Sequence, residues 1–389
     1  MADEKTVCIV GVAGFIGSHL LEKIIRERDW HVIGADMVAP MKIQQLLGAE
    51  KKWAGRFSFT QMDIVKEPAK LKELIKQSDV VINLAAICNP SEYIKQPVNT
   101  INSNFTDAID CINFCVEFNK HLIHFSTCEI YGRTLSSYGL PASDPKNYIL
   151  DEETTPMIMG PVSAQRWCYA CAKQLVERLI YANGTQNGLK FTIVRPYNWI
   201  GPRMDYIPGV DGKDDGQPRV LASFMTALMK GEPLVLVNGG QVYRTFCFIE
   251  DAVDCVVRMV DYPDKSIGQA FNVGNPDNNA PKLGTARRSP STRLVETSTQ
   301  ESTSAPSWMR QRGRCARCRG TRVRIARKYS SVARATFFTD TEQIVAAWLT
   351  APYYCVGKVA KAAVTWRGTR PGETLADLLF NLAWMRVVR

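Results

Sequence analysis

Short apolar runs alternate with longer stretches of mixed character over the first two hundred residues. Thr6–Val10, His31–Ala35, Phe57–Ile64 (closing at Asp63), Asp79–Ala86, His121–Thr127 and Phe191–Arg195 have strand length and are bounded by polar or glycine residues. Runs of this kind predict buried strands. Between them, Ser18–Arg28 and Pro97–Asn119 carry apolar residues at helical spacing, and another helix spans Tyr169–Lys173. Apolar strands alternating with helices predict a parallel sheet covered on both faces, a doubly wound α/β fold. Ligands of such sheets bind at the carboxyl ends of the strands. Gly14, Asp36, Ala85, Thr127 and Tyr169 are expected to converge there.

The first strand runs straight into Gly11-Val12-Ala13-Gly14-Phe15-Ile16-Gly17 and then a helix. That context makes the glycines a dinucleotide fingerprint of the Rossmann type. Gly11 permits the tight turn, Gly14 lets the backbone approach a pyrophosphate, and Gly17 lets the helix pack on the strand. Phe15 and Ile16 then lie at the helix N-terminus, which faces the phosphates. Asp36 closes the second strand nineteen residues after Gly17. A carboxylate there binds both ribose hydroxyls and repels a 2′-phosphate, so NAD is expected rather than NADP. Asp63, at the end of the third strand, is a candidate adenine contact.

Thr127 after a strand, with Tyr169 and Lys173 four apart on one helix face, suits oxidation of a sugar hydroxyl. The ammonium is expected to lower the phenol's proton affinity, the Thr hydroxyl to bind the same substrate oxygen, and the phenolate to take the proton. Cys128 and Glu129 beside that Thr are not needed for hydride transfer and suggest further chemistry. Cysteines at strand ends are more often packing residues.

With 389 residues, the chain is long enough for one large core and a second, smaller domain. The net charge of +10 does not describe the body of the chain. Fourteen Lys and Arg stand against two acidic residues between 281 and 335, a surplus larger than the whole net charge. The basic character therefore belongs to one segment, and a nucleic-acid partner is not expected. The twelve cysteines are scattered rather than set in a spaced framework and read as reduced thiols. No apolar run reaches membrane-spanning length, and the first strand starts at Thr6, so a cytosolic protein without a membrane partner is expected. Cys315 and Cys318 lack enough neighbouring ligands for zinc, and no metal is expected.

The glycine spacing together with Tyr-x-x-x-Lys resembles the extended short-chain dehydrogenase/reductases, which work on nucleotide sugars. Several blocks are similar to the plant-type UDP-apiose/UDP-xylose synthases: Asn83–Tyr93, His124–Glu129, Arg166–Tyr169, Arg195–Asp205 and Phe271–Pro276. The resemblance runs from about Thr6 to Asn278. Bacterial UDP-glucuronate oxidative decarboxylases share most of these blocks but usually have Ser and Ala where Cys128 and Cys88 stand.

That resemblance implies UDP-glucuronate as substrate. Tyr169, Lys173 and Thr127 would oxidise C4, the β-keto acid would lose carbon dioxide, and return of hydride would give UDP-xylose. Retro-aldol cleavage of the C2–C3 bond and re-closure would give UDP-apiose, with Cys128, Cys88 and Glu129 as acid/base groups. Arg166, Tyr93 and Asn198 would contact the substrate and Arg244 its diphosphate. A homodimer is implied as well. The alternatives are a bacterial-type oxidative decarboxylase, a UDP-xylose synthase, and, in a different class, a non-catalytic NAD-binding protein with a basic polyanion-binding arm.

The domain division expected is an NAD-binding domain over 1–196 with 242–273 contributing, and a substrate-binding portion over 197–241 and 274–280. An Arg/Ser-rich segment over 281–335, predicted to be disordered, and a divergent remnant of the substrate domain over 336–389 would come next. The stretch whose Arg meets the substrate carboxylate in the family is missing after Asn278. Trp366–Leu379 again resembles the family's closing turn and helix. Loss and recovery of a pattern in this way suggests a misread frame or splice error and weak turnover by the chain as written.

Overall fold

The computed structural model describes residues 4–40, 55–133, 149–204, 219–230, 232–237, 245–275 and 294–297, with the single positions 43, 138 and 147. Its centre is a seven-stranded sheet of β1 (Thr6–Val10), β2 (His31–Asp36), β3 (Phe57–Gln61), β4 (Val80–Asn83), β5 (His121–Phe125), β6 (Lys190–Pro196) and β10 (Gln269–Val273). The strand order is β10-β6-β5-β4-β1-β2-β3, and every pairing is parallel. The order reverses between β1 and β4, which opens a crevice at their carboxyl ends. This is the doubly wound Rossmann-type sheet that the apolar runs predict.

Both faces are covered, and β1 shows why its run is continuously apolar. Val7 and Ile9 join one core cluster with helices α1 (Phe15–Glu27) and α8 (Ile249–Asp261). Cys8 and Val10 face the other, with α2 (Pro68–Lys76), α5 (Asp107–Glu117) and α6 (Cys168–Asn187). Alternate side chains point to opposite faces, so a strand buried on both sides has no polar phase.

Several boundaries differ from the sequence expectation. Pro97–Asn119 is three pieces rather than one helix: α4 (Pro97–Ile101), a π-helical turn (Asn102–Thr106) and α5. The third strand ends at Gln61, and β4 ends at Asn83, with residues 84–89 continuing as a loop. The π turn binds that loop, since Asn104 Nδ2 donates to Ile87 O at 2.8 Å and Ile87 N donates to Ser103 Oγ at 3.0 Å. A helix interruption used in this way marks a functional region. After the loop comes α3 (Pro90–Lys95).

Beyond β6 lie β7 (Asn198–Ile200), α7 (Val220–Lys230), β8 (Leu234–Val237), β9 (Phe246–Phe248), α9 (Pro263–Ser266) and β11 (Leu294–Thr297). β7 pairs with β9 and β8 with β11. Among the described residues no helix is long and apolar enough to cross a membrane. The basic segment, apart from 294–297, and the stretch 336–389 lie outside the described residues.

Candidate active site

The dinucleotide turn is built as its glycines require. Gly11 adopts φ +87°, and a Cβ there would press on Leu84 and on Ala85 N at 3.2–3.3 Å. This contact brings Ala85, two residues past the end of β4, against the turn after β1. A Cβ on Gly17 would collide with Gly11 O and the Val12 backbone. Gly14 is the N-cap of α1 and no side chain caps the helix, so the first-turn N–H groups, from Phe15 and Ile16 onward, keep their capacity for phosphate. Asp36 accepts from Ala13 N at 2.9 Å and Val38 N at 3.3 Å, which fixes its carboxylate at the rim of the crevice. The cradle that extra methyl groups would fill, the open helix end and the placed acid fit a dinucleotide with free ribose hydroxyls. Asp63 is engaged locally, accepting from Val65 N and Lys66 N and pairing with Lys66 Nζ at 2.9 Å.

Tyr169, Lys173 and Glu177 stand at intervals of four along α6, all buried. They form one polar ladder on the face that meets the sheet. Glu177 receives Arg195 of β6 in a bidentate pair, Nε at 3.1 Å and Nη2 at 2.7 Å. Arg195 Nη1 also donates to Tyr131 Oη at 2.8 Å, and Tyr131 donates to Asn272 Oδ1 at 2.9 Å. α6 is thereby locked to β6, β10 and the 3₁₀ turn Cys128–Tyr131. Sequence reasoning does not reach this network; its one trace is the i+4 spacing of Glu177 after Lys173.

Lys173 Nζ donates to Phe125 O at 2.8 Å, and burial pulls the ammonium down to about 8. The Tyr169 phenol is pushed up: burial is the main cause, Cys88 and Glu129 add to it, and a hydrogen bond with Thr127 opposes it. Desolvation outweighs any lowering of the phenol by the Lys173 ammonium. That ammonium is engaged by the strand carbonyl.

Thr127 is extended and caps the 3₁₀ turn, its Oγ1 accepting from Glu129 N at 3.1 Å. That turn lifts Cys128 and Glu129 off the end of β5. Glu129 lies 3.8 Å from an Arg166 guanidinium nitrogen. Arg166 stands three residues before Tyr169, a spacing that would put both on one helix face, but it sits in a separate 3₁₀ turn, Gln165–Trp167, with its guanidinium 4.5 Å from the Trp167 ring centre. α6 begins only at Cys168, so Arg166 reaches the site from the rim through Glu129. Tyr93 stacks on Tyr169, with ring centres 4.6 Å apart and planes 9° from parallel. Cys168 Sγ donates to Tyr93 O at 3.5 Å and ties the two elements together.

Cys88 is exposed on the loop after β4, and Arg219 Nη2 lies 3.7 Å from its sulfur. Arg219 immediately precedes α7. No local pattern singled it out; the fold brings it in from a distant part of the chain. Asn198 donates to Thr245 O at 2.8 Å and so joins the strand ends of β7 and β9. Arg244 lies outside the described residues. Cys8, Cys111 and Cys115 are fully buried in one core layer, as the packing reading expects.

An open dinucleotide cradle beside a Thr/Tyr/Lys constellation defines a nicotinamide-dependent enzyme of the short-chain type. The sequence pattern of the NAD dependent epimerase/dehydratase family matches residues 7–274, and the chain belongs to this family. Its coenzyme is NAD. Among named relatives, it is 52% identical over 279 residues to UDP-D-apiose/UDP-D-xylose synthase 2 of Arabidopsis thaliana, covering 70% of this chain and 71% of that protein. The UDP-D-apiose/UDP-D-xylose synthase of Oryza sativa subsp. japonica is 53% identical over 279 residues, 70% of this chain and 69% of that protein. Among solved structures, the PbgP3 protein from Burkholderia pseudomallei superposes with TM-score 0.61 at 30% identity, covering 76% of this chain and 86% of that one. A UDP-glucuronic acid 4-epimerase from Bacillus cereus, bound to UDP-glucuronic acid and NAD, shares the fold with TM-score 0.54 at 22% identity, over 69% and 77% of the two chains.

Proposed function

We propose that this enzyme converts UDP-glucuronate into UDP-apiose and UDP-xylose, with NAD recycled within each turnover. The observation that carries the reading is the placing of two thiols and a carboxylate around one buried Tyr: Cys88, on the loop after β4, and Cys128 and Glu129, on the turn after β5, are neighbours of Tyr169. Epimerisation or simple decarboxylation needs no such sulfur pair.

When bound, NAD accepts and later returns one hydride. Tyr169 takes the proton of the sugar C4 hydroxyl, and Thr127 orients that oxygen. A ketone at C4 stands β to the C5 carboxylate, so carbon dioxide leaves and the electron pair passes to the ketone as an enolate. Cys88 and Cys128, with Glu129, then move protons at the ring hydroxyls during C2–C3 cleavage and re-closure. Tyr93 walls the pocket behind Tyr169, and Arg166 and Arg219 supply cations at its mouth.

The test is incubation with UDP-glucuronate and NAD, with products identified by NMR. Both UDP-pentoses are expected and no net NADH. UDP-xylose alone would remove the role of the thiols, and NADH accumulating with a 4-ketopentose would favour an oxidative decarboxylase.

The enzyme acts as a homodimer. Supporting this reading, α4 packs beside α6, and Val98, Ile101 and Leu175 on these helices, with Ile94 on α3, are exposed apolar side chains. Large apolar residues clustered on two neighbouring helices are suited to burial against a second copy.

A further inference from the structure

His124 is a residue of the buried polar layer beneath the site that the chemistry above leaves unused. It is 2% exposed, and neither ring nitrogen has a hydrogen-bond partner among the described residues. A polar group buried in this way is costly unless it is hydrogen-bonded, so two such nitrogens on one side chain point to a bound partner. Strand alternation fixes where the ring points. Ile123 and Phe125 pack with α1 and α8, whereas Leu122 packs with α5 and α6, so His124 faces α6. From that side Lys173 reaches in to donate to Phe125 O, the carbonyl next along the strand. Ser126, two residues after His124 and on the same face, also has a buried hydroxyl without a partner.

The charged surroundings are few. Lys173 feels Cys88 and Glu177, and Glu177 is already held by Arg195; Tyr169 lies one helical turn before it. Lys173 is the charged group acting on His124. Burial and that ammonium hold the imidazole neutral, so one ring nitrogen is an acceptor. An ammonium has three N–H groups, and the Phe125 carbonyl takes one.

We infer that His124 is a positioning residue for Lys173, acting through one buried water held between imidazole and ammonium that keeps the lysine charged and directed at Tyr169 and the coenzyme. The inference rests on the Tyr169–Lys173 reading of the site. Burial leaves Lys173 at about 8, close to working pH. Losing an acceptor disfavours the charged form further, so the cation is lost at lower pH.

The experiment compares His124→Leu and His124→Phe with His124→Asn and His124→Gln, and includes Tyr169→Phe, in the full chain. The 13Cε resonance of Lys173, assigned with Lys173→Arg, is followed against pH, alongside kcat with UDP-glucuronate. The apolar variants are expected to lower the Lys173 midpoint by about one pH unit, a tenfold change in proton affinity. The alkaline limb of kcat should move down with it, and Asn or Gln should restore both. A Lys173 midpoint unchanged in folded His124→Leu or His124→Phe protein overturns the inference, and so does equal loss in all four variants. Activity surviving in Tyr169→Phe would instead overturn the reading on which it rests.

Discussion

Tyr169 and Lys173 were legible from their four-residue spacing together with Thr127 after a strand, but the balance of charge around them was not. Spacing says which groups share a face; it does not say that burial raises the phenol while Phe125 O holds the ammonium. Proton transfer by a placed side chain is worth about 10²–10⁴-fold. Tyr169→Phe should lose turnover on that scale while NAD affinity stays within about twofold. Lys173 must be protonated to support the phenolate and is held at about 8, so kcat should fall as pH rises through that region. A flat profile between pH 7 and 9 would remove this role. Cys88→Ala and Cys128→Ala are expected to abolish the apiose product and leave measurable xylose, resolved by NMR of the nucleotide sugars.

The strands of the sheet could be read because burial on both faces leaves an unbroken apolar run, as in Val7–Val10 of β1. The break at Asn102–Thr106 could not. Every residue there is compatible with a continuous helix, and the π turn depends on Asn104 and Ser103 reaching the loop that carries Cys88. Arg219 was hidden for the same reason, since only the fold sets it beside that sulfur. The most demanding joint between elements is Glu177–Arg195, with side chains 5% and 3% exposed. Removing one member leaves a buried charge uncompensated, which costs about 3–5 kcal/mol. Glu177→Gln should therefore lower Tm clearly and loosen α6. A kcat lost with stability intact would show that the pair serves chemistry rather than register.

Across the whole molecule, the sequence divides near residue 278. The body before that point matches a family over 7–274, while most of the chain after it lies outside the described residues. The disordered segment, the divergent remnant and the misread frame expected there are accordingly not addressed by the fold. The apolar residues on α3, α4 and α6 give the body an outward face. Leu175→Asp, on the exposed side of α6 rather than its buried Tyr169–Lys173 face, is expected to turn a dimer into a monomer in light scattering. An unchanged mass would mean that this face is not the contact.

The stacked pair of Tyr93 and Tyr169 gives the enzyme an optical property of its own. Two phenol chromophores 4.6 Å apart in nearly parallel planes are coupled oscillators, and their near-ultraviolet circular dichroism depends on both rings keeping that geometry and protonation. Ionising one ring detunes it from its neighbour. Loading of the pocket should be visible as a change in that band, absent in Tyr93→Leu, without any added dye or coupled assay.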